Sequence, residues 1–366
     1  MNEKEALEID GAYGEGGGQI IRTSMSLAAI TGRAIELKHI RARRSRPGLQ
    51  AQHLTAVRAM AAFCHGILQG DTLDSQQLRF DPGTVEYGPA SDFTFDVAEA
   101  RGGASAGATG LVAQTLFVPM FLLEYVTPRV TILGGTHVPM SPTADYLQHV
   151  YVPALCKMGL LGSFNSDRAG FFPRGGGAIR IIADSGVPTT PIDWTERGRM
   201  QSLRVTIVTS QLPEHVAARG EETVLKELKG YGVPVTVEKR DLPSHGAGAA
   251  VVITAACERG MSGFTSLGER GKPMERVALE AVRDFKKWFA SGAPVDEHLA
   301  DQLVLPCALM PYESRWTTPV ITDHLRTVLW TAQQFLPIEY TLEERGDGSG
   351  LVTLRGVEGT TLHKSA

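Results

Sequence analysis

The stretch Asp10-Gly-Ala-Tyr-Gly-Glu-Gly-Gly-Gly-Gln19 joins a short apolar run, residues 6–9, to a segment with apolar residues at helical spacing. This pattern predicts a β-strand, a glycine loop and a helix that ends at Gly32. Glycine lets the backbone approach a ligand closely, and N–H groups at a helix N-terminus point at an anion. The loop lacks the Lys-Ser or Lys-Thr of one phosphate-binding motif, and Gln19 replaces the last glycine of G-x-G-x-x-G. The stretch is therefore either a tight strand-to-helix turn or an anion-binding loop.

A basic run follows, Arg41-Ala-Arg43-Arg44-Ser-Arg46, and Gln52-His53 come soon after it. The whole chain has a formal net charge of −4, which argues against non-specific binding of polyanions. The run is therefore either the edge of a local basic cleft or a solvated loop.

Length and composition limit the class of protein. A chain of 366 residues with 43% hydrophobic residues can form a large core, and it predicts two domains. The four cysteines are far apart and form no C-x-x-C motif, which favours reduced thiols over disulfides or a zinc site. No signal-peptide pattern opens the chain, and the most apolar stretch, residues 116–126, is too short to span a bilayer. We expect a soluble, cytoplasmic protein with no membrane segment.

Strand and helix patterns alternate in repeated units. The first unit has predicted elements at 6–10, 19–31, 34–40, 49–64 and 77–81. The second has them at 92–97, 111–125, 129–134, 143–158 and 178–183. Two strands near 337–343 and 350–355 complete a third. Units of the βαβαβ type predict an α/β (α+β) fold in which helices cover the sheets.

A turn-rich segment, residues 184–194, separates the second unit from a different region. Strand and helix patterns there fall at 203–209, 221–228, 233–238 and 250–254, followed by an irregular segment at 260–273 and a long amphipathic helix from Met274 to Phe289. We expect a large domain from residues 1–184 and 279–366, and a smaller inserted α/β domain from residues 185–278. The polar tail, residues 359–366, is expected to fray.

Several motifs together resemble the RNA 3′-terminal phosphate cyclase family. They are the glycine stretch with Arg22, Ile40-Arg-Ala-Arg-Arg44, Pro47-Gly-Leu49 with Gln52-His-Leu54, Gly134-Gly-Thr136, Gly170-Phe-Phe-Pro-Arg-Gly-Gly-Gly177, Leu299-Ala-Asp-Gln-Leu-Val-Leu-Pro306 and Asp323-His-Leu325. They occur in the family's order and cover nearly the whole chain, which argues against chance agreement.

The resemblance implies a fold and a reaction. The family's large domain has three repeated βαβαβ-type units that resemble the C-terminal domain of translation initiation factor three, with a small α/β domain inserted. Its members use ATP and a divalent metal, Mg²⁺ or Mn²⁺, to attach AMP to a histidine and release pyrophosphate. AMP then passes to the 3′-terminal phosphate of an RNA. The neighbouring 2′-hydroxyl displaces AMP and leaves a 2′,3′-cyclic phosphate.

His324 takes the family's nucleophile position, and a neutral imidazole is a competent nucleophile near pH 7. Asp323 beside it is either a helix N-cap or a group that orients the histidine, with capping favoured. Glu15 matches the family's acidic contact to the metal and the triphosphate, which makes it the expected metal ligand. Arg22 and Arg44 match catalytic arginines, because a guanidinium bonds two phosphate oxygens at once.

Further positions match the family's ATP site: Arg41, Gln52, His53, Gln114, Pro142, Tyr146, His298, Leu299, Ala300, Asp301 and Gln302. Asp301 holds either the other ring nitrogen of the histidine or the metal. Pro142 and Tyr146 either form part of an adenine pocket or pack at a helix start. Arg43 and Arg46 are expected to meet RNA phosphates or solvent.

The sequence departs from the family pattern at two positions. Ala169 stands where a basic residue usually precedes Gly170, although Arg168 and Arg174 are near enough in sequence to replace it. His298 stands in place of a tyrosine, and its smaller ring stacks less extensively on adenine. Neither change removes a group that carries a proton or a phosphoryl group.

Two other functions are possible. The fold has a non-catalytic branch that acts in ribosomal RNA maturation and lacks the histidine, whereas this chain retains His324, Glu15, Arg22 and Arg44. Enolpyruvyl transferases share a related repeated architecture, and architecture alone supports that hypothesis. The favoured hypothesis is a cyclase whose partner is an RNA with a 3′-terminal phosphate.

Overall fold

The computed structural model describes residues 5–83, 92–103, 105–123 and 127–358. The predicted helix end at 125 and the tail at 359–366 lie outside these residues. Within the described ranges, strands form four sheets of four strands each.

The first sheet is built from residues 7–81. Its elements are β1 (Leu7–Asp10), α1 (Gly18–Thr31), β2 (Ile35–Lys38), α2 (Ala51–Phe63), β3 (Ile67–Gln69) and β4 (Leu78–Asp81). The strand order is β1-β2-β4-β3, with β1 and β2 parallel and the other pairs antiparallel. The sequence prediction lacked β3, because three residues are too few to show an alternating pattern.

The second sheet repeats this topology. Its elements are β5 (Asp92–Asp96), α3 (Thr109–Phe121), β6 (Arg129–Gly134), α4 (Ala144–Tyr146), α5 (Val152–Lys157), β7 (Gly162–Arg168) and β8 (Gly177–Ala183). A π-helical segment, Leu147–Tyr151, makes α4 and α5 continuous. The order β5-β6-β8-β7 matches that of the first sheet. The prediction lacked β7, which is mostly polar.

A two-residue strand, β9 (Asp193–Trp194), precedes an inserted sheet. The insert contains β10 (Met200–Ser210), α6 (Glu214–Leu228), β11 (Val235–Asp241), β12 (Gly248–Cys257), β13 (Met261–Leu267) and α7 (Met274–Ser291). Its order, β11-β10-β12-β13, differs from that of the first two sheets because β10 pairs on both sides. The expectation that residues 260–273 are irregular was wrong: β13 pairs with β12 along seven residue positions.

After the insert, the chain forms α8 (Glu297–Gln302), α9 (Val304–Ala308), β14 (Glu313–Thr318), α10 (Asp323–Phe335), β15 (Glu339–Glu344) and β16 (Gly350–Arg355). The strand order β9-β14-β16-β15 again has one parallel pair, β9 with β14, followed by antiparallel pairs. The insert therefore interrupts a third unit between its first strand and its first helix. The expected repeated α/β architecture is confirmed, with one more strand than predicted in each of the first two units and two more, β9 and β14, in the third.

The helix α1 is the centre of the repeated units. Residues on every face of it are buried, from Ile20 to Ile30, and it contacts α2, α3 and α10. A helix that is apolar all round belongs inside a core. The glycine loop before α1 is therefore held at the place where the first and third units meet.

The inserted sheet has a hydrophobic core of its own. The apolar faces of α6 and α7 cover it, with Val224, Ala281 and Phe285 buried against β10 and β12. The predicted boundary at residue 278 falls inside α7, which packs on the inserted sheet. The division into residues 1–184 with 279–366, and 185–278, stays a prediction.

A buried polar network connects the second unit to the insert. The Nε2 of His137 lies 2.7 Å from Oδ2 of Asp145, and Arg240 on β11 donates to Oδ1 of Asp145 at 2.8 Å. Arg240 also donates to the carbonyl of Ser166 at 2.6 Å. Burial acts to raise the pKa of Asp145, yet the bonds from His137 and Arg240 hold it below its usual value. This carboxylate therefore stays charged and fixes the position of the inserted sheet.

Candidate active site

The glycine loop presents bare backbone at the start of α1. The helix begins after Gly17, and no side chain caps it. A Cβ atom on Gly17 would lie 3.0 Å from Nη2 of Arg44, and one on Gly18 would overlap the ring of His53. Side chains are therefore excluded from this turn, and the free N–H groups of the first helical turn are open to an anion.

Glu15 lies in this loop between the side chains of Arg44 and His324. Its Oε1 accepts a hydrogen bond from Nη2 of Arg44. Its Oε2 lies 2.9 Å from Nε2 of His324. That oxygen is buried and makes no hydrogen bond of good geometry within the described residues. The expected proximity of Glu15 and His324 is confirmed, whereas their roles stay a prediction.

His324 reaches the loop because α10 packs on it. The ring of Tyr13 stacks on that of Trp330 with centroids 3.8 Å apart. A Cβ on Gly14 would lie 2.6 Å from Oγ1 of Thr327, so the two elements touch closely. These contacts place the first turn of α10 over Glu15.

The N-cap of α10 is Thr322, not Asp323. The Thr322 hydroxyl accepts a hydrogen bond from the N–H of Leu325 at 3.1 Å, while Asp323 occupies the first helical position. The favoured capping role of Asp323 was therefore wrong. Threonine and aspartate both cap helices, and sequence alone did not fix which of these neighbours has the extended backbone.

A cluster of charges surrounds this contact. Burial lowers the pKa of Arg22 to about 10, against the raising effect of Asp301 and Glu15. Burial raises the pKa of Asp301 to about 7, although His298 and Arg22 act to lower it. Burial also lowers the pKa of His324, against the raising effect of Glu15. The imidazole of His324 is therefore neutral at pH 7, and the site holds fixed cations beside it.

His53 lies on α2 directly beside the start of α1. Its Nδ1 accepts a hydrogen bond from the N–H of Gln50 at 3.1 Å, which leaves the ring proton on Nε2, next to Gly18. Burial and the nearby Arg22 and Arg41 lower the pKa of His53 to about 3. His53 is therefore a neutral hydrogen-bond donor beside Gly18, and we call the site formed by Glu15, Gly18, His53 and His324 the cleft.

Gln52 connects the first unit to the second. Its Oε1 accepts a hydrogen bond from the N–H of Ala108 at 3.3 Å, and Ala108 forms a bridge with Gly135. This bond fixes the segment that precedes α3, on which the partly exposed Gln114 lies.

Arg41 has a different environment from Arg22 and Arg44. Its Nη1 donates to the carbonyls of Arg46 and Gly48, at 2.6 and 3.0 Å. Burial, together with Arg44, lowers the pKa of Arg41. Arg41 therefore shapes the basic loop, while Arg43 and Arg46 are exposed.

The helix α8 carries Asp301, which interacts with Arg22 and Glu15 of the cluster, and Gln302 follows Asp301 on the same helix. The Oε1 of Gln302 is buried and makes no hydrogen bond within the described residues. Leu299 and Ala300 are buried in the core, so their side chains position the helix, whereas the His298 side chain is 68% exposed.

Asp296 holds this helix, and the sequence analysis missed it. Its carboxylate accepts from the N–H groups of His298 and Leu299 at 2.9 Å and from the N–H of Gly263 at 2.9 Å. The hydroxyl of Tyr146 donates to it at 3.0 Å. Asp followed by a helical pattern was the available signal.

The expected adenine-pocket residues differ from each other. Tyr146 is buried at 3% exposure with its hydroxyl bonded to Asp296, whereas Pro142 is partly exposed. The structure thus shows packing for Tyr146 at the start of α4.

Oxygen atoms suited to a hard cation are present but few. Across the described ranges, no group of three or more His, Cys, Asp or Glu side chains is placed to hold a metal. Within the described residues, the buried side-chain oxygens that lack a hydrogen bond include Oε2 of Glu15 and Oε1 of Gln302. Mg²⁺ is commonly held by one or two protein oxygens together with substrate phosphates, so this donor set fits a metal that binds with a nucleotide.

Comparison with known proteins identifies the family. The family model described as RNA 3′-terminal phosphate cyclase matches residues 13–342. An RNA 3′-terminal phosphate cyclase of Methylococcus capsulatus is 42% identical over 358 residues, covering 98% of each chain. Those of Trichormus variabilis and Pyrobaculum neutrophilum are 41% and 38% identical, covering 90% and 93% of this chain and 94% and 96% of theirs.

Three βαβαββ units around a histidine–carboxylate–arginine cleft define an α/β enzyme. The chain belongs to the RNA 3′-terminal phosphate cyclase family. None of the helices in the described ranges has the length and apolar character needed to cross a membrane.

Proposed function

We propose that this enzyme uses ATP to convert the 3′-terminal phosphate of an RNA into a 2′,3′-cyclic phosphate, with His324 as the carrier of AMP. The observation that supports this most is the contact of His324 with Glu15 at the open N-terminus of α1. A nucleophile, two arginines and unpaired backbone N–H groups meet there, which is what phosphoryl chemistry requires.

In the first step, a lone pair of the neutral imidazole attacks the α-phosphorus of ATP. The N–P bond forms, the bond from that phosphorus to the bridging oxygen breaks, and pyrophosphate leaves with the electron pair. Arg22 and Arg44 balance the negative charge on the phosphates. A divalent metal, held by Glu15 with Gln302 as a second oxygen, would supply further charge neutralisation to the triphosphate.

In the second step, an oxygen of the RNA 3′-phosphate attacks the same phosphorus, and the N–P bond breaks to restore the imidazole. In the third, the 2′-hydroxyl oxygen attacks the RNA phosphorus and gives up its proton, and AMP leaves. Each step exchanges one P–O or P–N bond for another, so no oxidant or reductant is needed.

The test is incubation with ATP labelled at the α-phosphate, followed by acid and alkali treatment of the protein. We expect an acid-labile, alkali-stable adduct that His324→Ala abolishes. The matched control is His215→Ala, since His215 is also the second residue of a helix, α6, and is exposed. An adduct of equal yield in His324→Ala, or none in the native enzyme, contradicts the proposal, and the latter outcome favours a non-catalytic role in RNA maturation.

The label is then followed into RNA. We expect transfer to an oligonucleotide with a 3′-phosphate, formation of a cyclic end, and no transfer to an oligonucleotide with a 3′-hydroxyl. The four cysteines are free thiols in the structure, which supports the further proposal of a cytoplasmic location.

A further inference from the structure

The loop between β7 and β8, residues 169–176, displays an aromatic ring beside unpaired cations. Phe172 is 71% exposed, whereas Phe171 is buried at 6% exposure. Arg168 and Arg174 are both exposed. We call Arg168, Phe172, Arg174 and His245 the Phe172 patch.

The cations of the Phe172 patch are held in place without a carboxylate. The Nη1 of Arg174 donates to the carbonyl of His245 at 2.9 Å, and Nη2 of Arg168 contacts Nε2 of His245. Within the described ranges, neither arginine forms an ion pair, although the neighbouring Arg180 pairs with Asp167 at 2.8 Å. Their positive charge is therefore available to an anion.

The loop that carries Phe172 is rigidly backed. Phe171 packs against the buried ring of His137 with centroids 5.3 Å apart. The N–H of Gly175 donates to the carbonyl of Phe171 at 2.8 Å, and that of Ala169 to Pro243 at 3.0 Å. An exposed ring on a fixed turn loses little conformational freedom when a planar group stacks on it.

The Phe172 patch adjoins the catalytic cleft through one shared segment, residues 105–108. Gly175 packs against the backbone of Ser105 so closely that a Cβ would overlap it. Three residues later, Ala108 donates to Gln52, next to His53 in the cleft. Residues 105–108 therefore connect Gln52 to the loop that carries Phe172, so an RNA that ran past Gln52 would reach that loop.

We infer that the Phe172 patch binds the single-stranded RNA just upstream of the 3′-terminal phosphate, with a base stacked on Phe172 and phosphates bonded to Arg168 and Arg174. Aromatic rings interleaved with unpaired guanidinium groups are the usual surface for single-stranded nucleic acid. The inference rests on the proposed function, since it concerns the strand whose end reacts at His324. The chain as a whole is acidic, so a cationic patch of this kind directs the polyanion to one place.

The experiment measures equilibrium binding of the full-length protein to fluorescent RNA with a 3′-phosphate, without ATP, for a dinucleotide and for a strand of about ten nucleotides. We expect Phe172→Ala to weaken binding of the longer strand about five- to a hundredfold and to leave the dinucleotide unchanged. Phe172→Tyr should bind as the native protein does, since it keeps the ring. Leu161→Ala, which removes an exposed apolar residue before β7, is the control.

The electrostatic part is tested by salt titration. We expect Arg174→Gln to lower the slope of log affinity against log salt by about 0.7 for the longer strand. Arg259→Gln should leave the slope unchanged, because this exposed arginine follows the C-terminal end of β12, whereas the first residue of β12, Gly248, lies against Phe171. Native slope and affinity in both Phe172→Ala and Arg174→Gln would overturn the inference.

Different results contradict the proposed function and the RNA-binding role of the Phe172 patch. Adduct formation with ATP needs no RNA, so Phe172→Ala and Arg174→Gln should form protein–AMP at the native rate. If the native protein forms no adduct but Phe172→Ala weakens binding of the longer strand, the proposed function is wrong and the inferred RNA-binding role of the Phe172 patch is supported. If the adduct forms and neither variant changes RNA binding, the inferred role of the Phe172 patch is wrong and the proposed function is supported.

Discussion

The Nε2 atom of His324, on α10 in the third unit, lies 2.9 Å from Oε2 of Glu15, in the loop after the first strand. Glu15 acts to raise the pKa of His324, but burial outweighs it and leaves the pKa below its usual value. The carboxylate thus stands beside an imidazole that is neutral at pH 7, and it also fixes Arg44. This arrangement makes the pH dependence of adduct formation a direct probe of the pair.

Replacement of Glu15 by Gln should shift the acid limb of that profile to lower pH. For the native enzyme, we expect the rate of adduct formation to rise with pH as His324 loses its proton and then to level off. Without the carboxylate, the pKa of His324 falls further, so the limb moves down, while the plateau rate drops about 100-fold because Arg44 loses its anchor. Rapid-quench measurement of protein–AMP gives both quantities. The control is Glu344→Gln, which removes the partner of Arg326, an arginine on the same helix as His324. A shift of the acid limb to higher pH in Glu15→Gln would contradict the pairing of Glu15 with His324.

Asp301 should make the enzyme less stable as pH rises from about 4 to 7. Its pKa is raised from 3.8 to about 7 by burial, so the folded state keeps a proton that the unfolded chain loses in that window. The contribution of the protonated Asp301 carboxyl to stability is complete below the pKa of the unfolded chain and is lost as pH passes the pKa of the folded state. Asp301→Asn removes it.

Urea unfolding at pH 5 and pH 8 measures this effect. We expect Asp301→Asn to gain roughly 2–3 kcal/mol in unfolding free energy relative to the native enzyme between the two pH values. The exposed Asp323→Asn should follow the native pH dependence. Parallel curves for Asp301→Asn and the native enzyme would show that the Asp301 carboxyl is not protonated in the fold.

Asp296→Ala should both destabilise the protein and slow adduct formation. It leaves the N–H groups of His298, Leu299 and Gly263 and the hydroxyl of Tyr146 without their acceptor, at a cost of about 3–5 kcal/mol. The rate should fall because α8 carries Asp301 and Gln302. Tyr146→Phe removes one donor and should cost about 1–2 kcal/mol. A larger loss in Tyr146→Phe than in Asp296→Ala runs against this account.

Gly18→Ala should reduce adduct formation without unfolding the protein. Alanine favours a helix, but its Cβ would overlap His53 and lie 3.1 Å from Nη1 of Arg22. Displacement of these groups should slow the reaction about 10- to 100-fold. Gly186→Ala, where the added carbon meets nothing within 4 Å, is the control. An unchanged rate in Gly18→Ala would show that adduct formation does not require His53 and Arg22 to stay in their present positions.

The sequence predicted the parts of the fold that carry strong local patterns. The strand, glycine loop and helix around Glu15 were correctly expected, and so was the amphipathic helix that became α7. The strands β3 and β9 were missed because two or three residues are too few to show an alternating pattern, and β7 was missed because most of its residues are polar. Of these three strands, only β9 has a partner strand, β14, that is distant in the chain.

The candidate site was predicted mainly through family motifs, and its supporting contacts were not. Motifs named His324 and Glu15, and the structure brings the two together. Asp296 was missed because its partners Tyr146 and Gly263 lie in other parts of the chain. The role of Asp145 was missed because it also depends on Arg240 of the insert. Thr322 rather than Asp323 caps α10, since the choice between adjacent caps depends on backbone angles that the sequence does not specify.

The packing of α10 on the loop before α1 also governs when the enzyme becomes competent during synthesis. Glu15, Arg22 and Arg44 are synthesised early, with the first unit. His324 is synthesised only after the second unit, the insert and β14. Contacts between such distant segments close large loops and form late in folding. If His324 carries AMP as we propose, a chain that ends before α10 would have the anion-binding loop but not the nucleophile, and protein–AMP would form only after α10 packs on that loop.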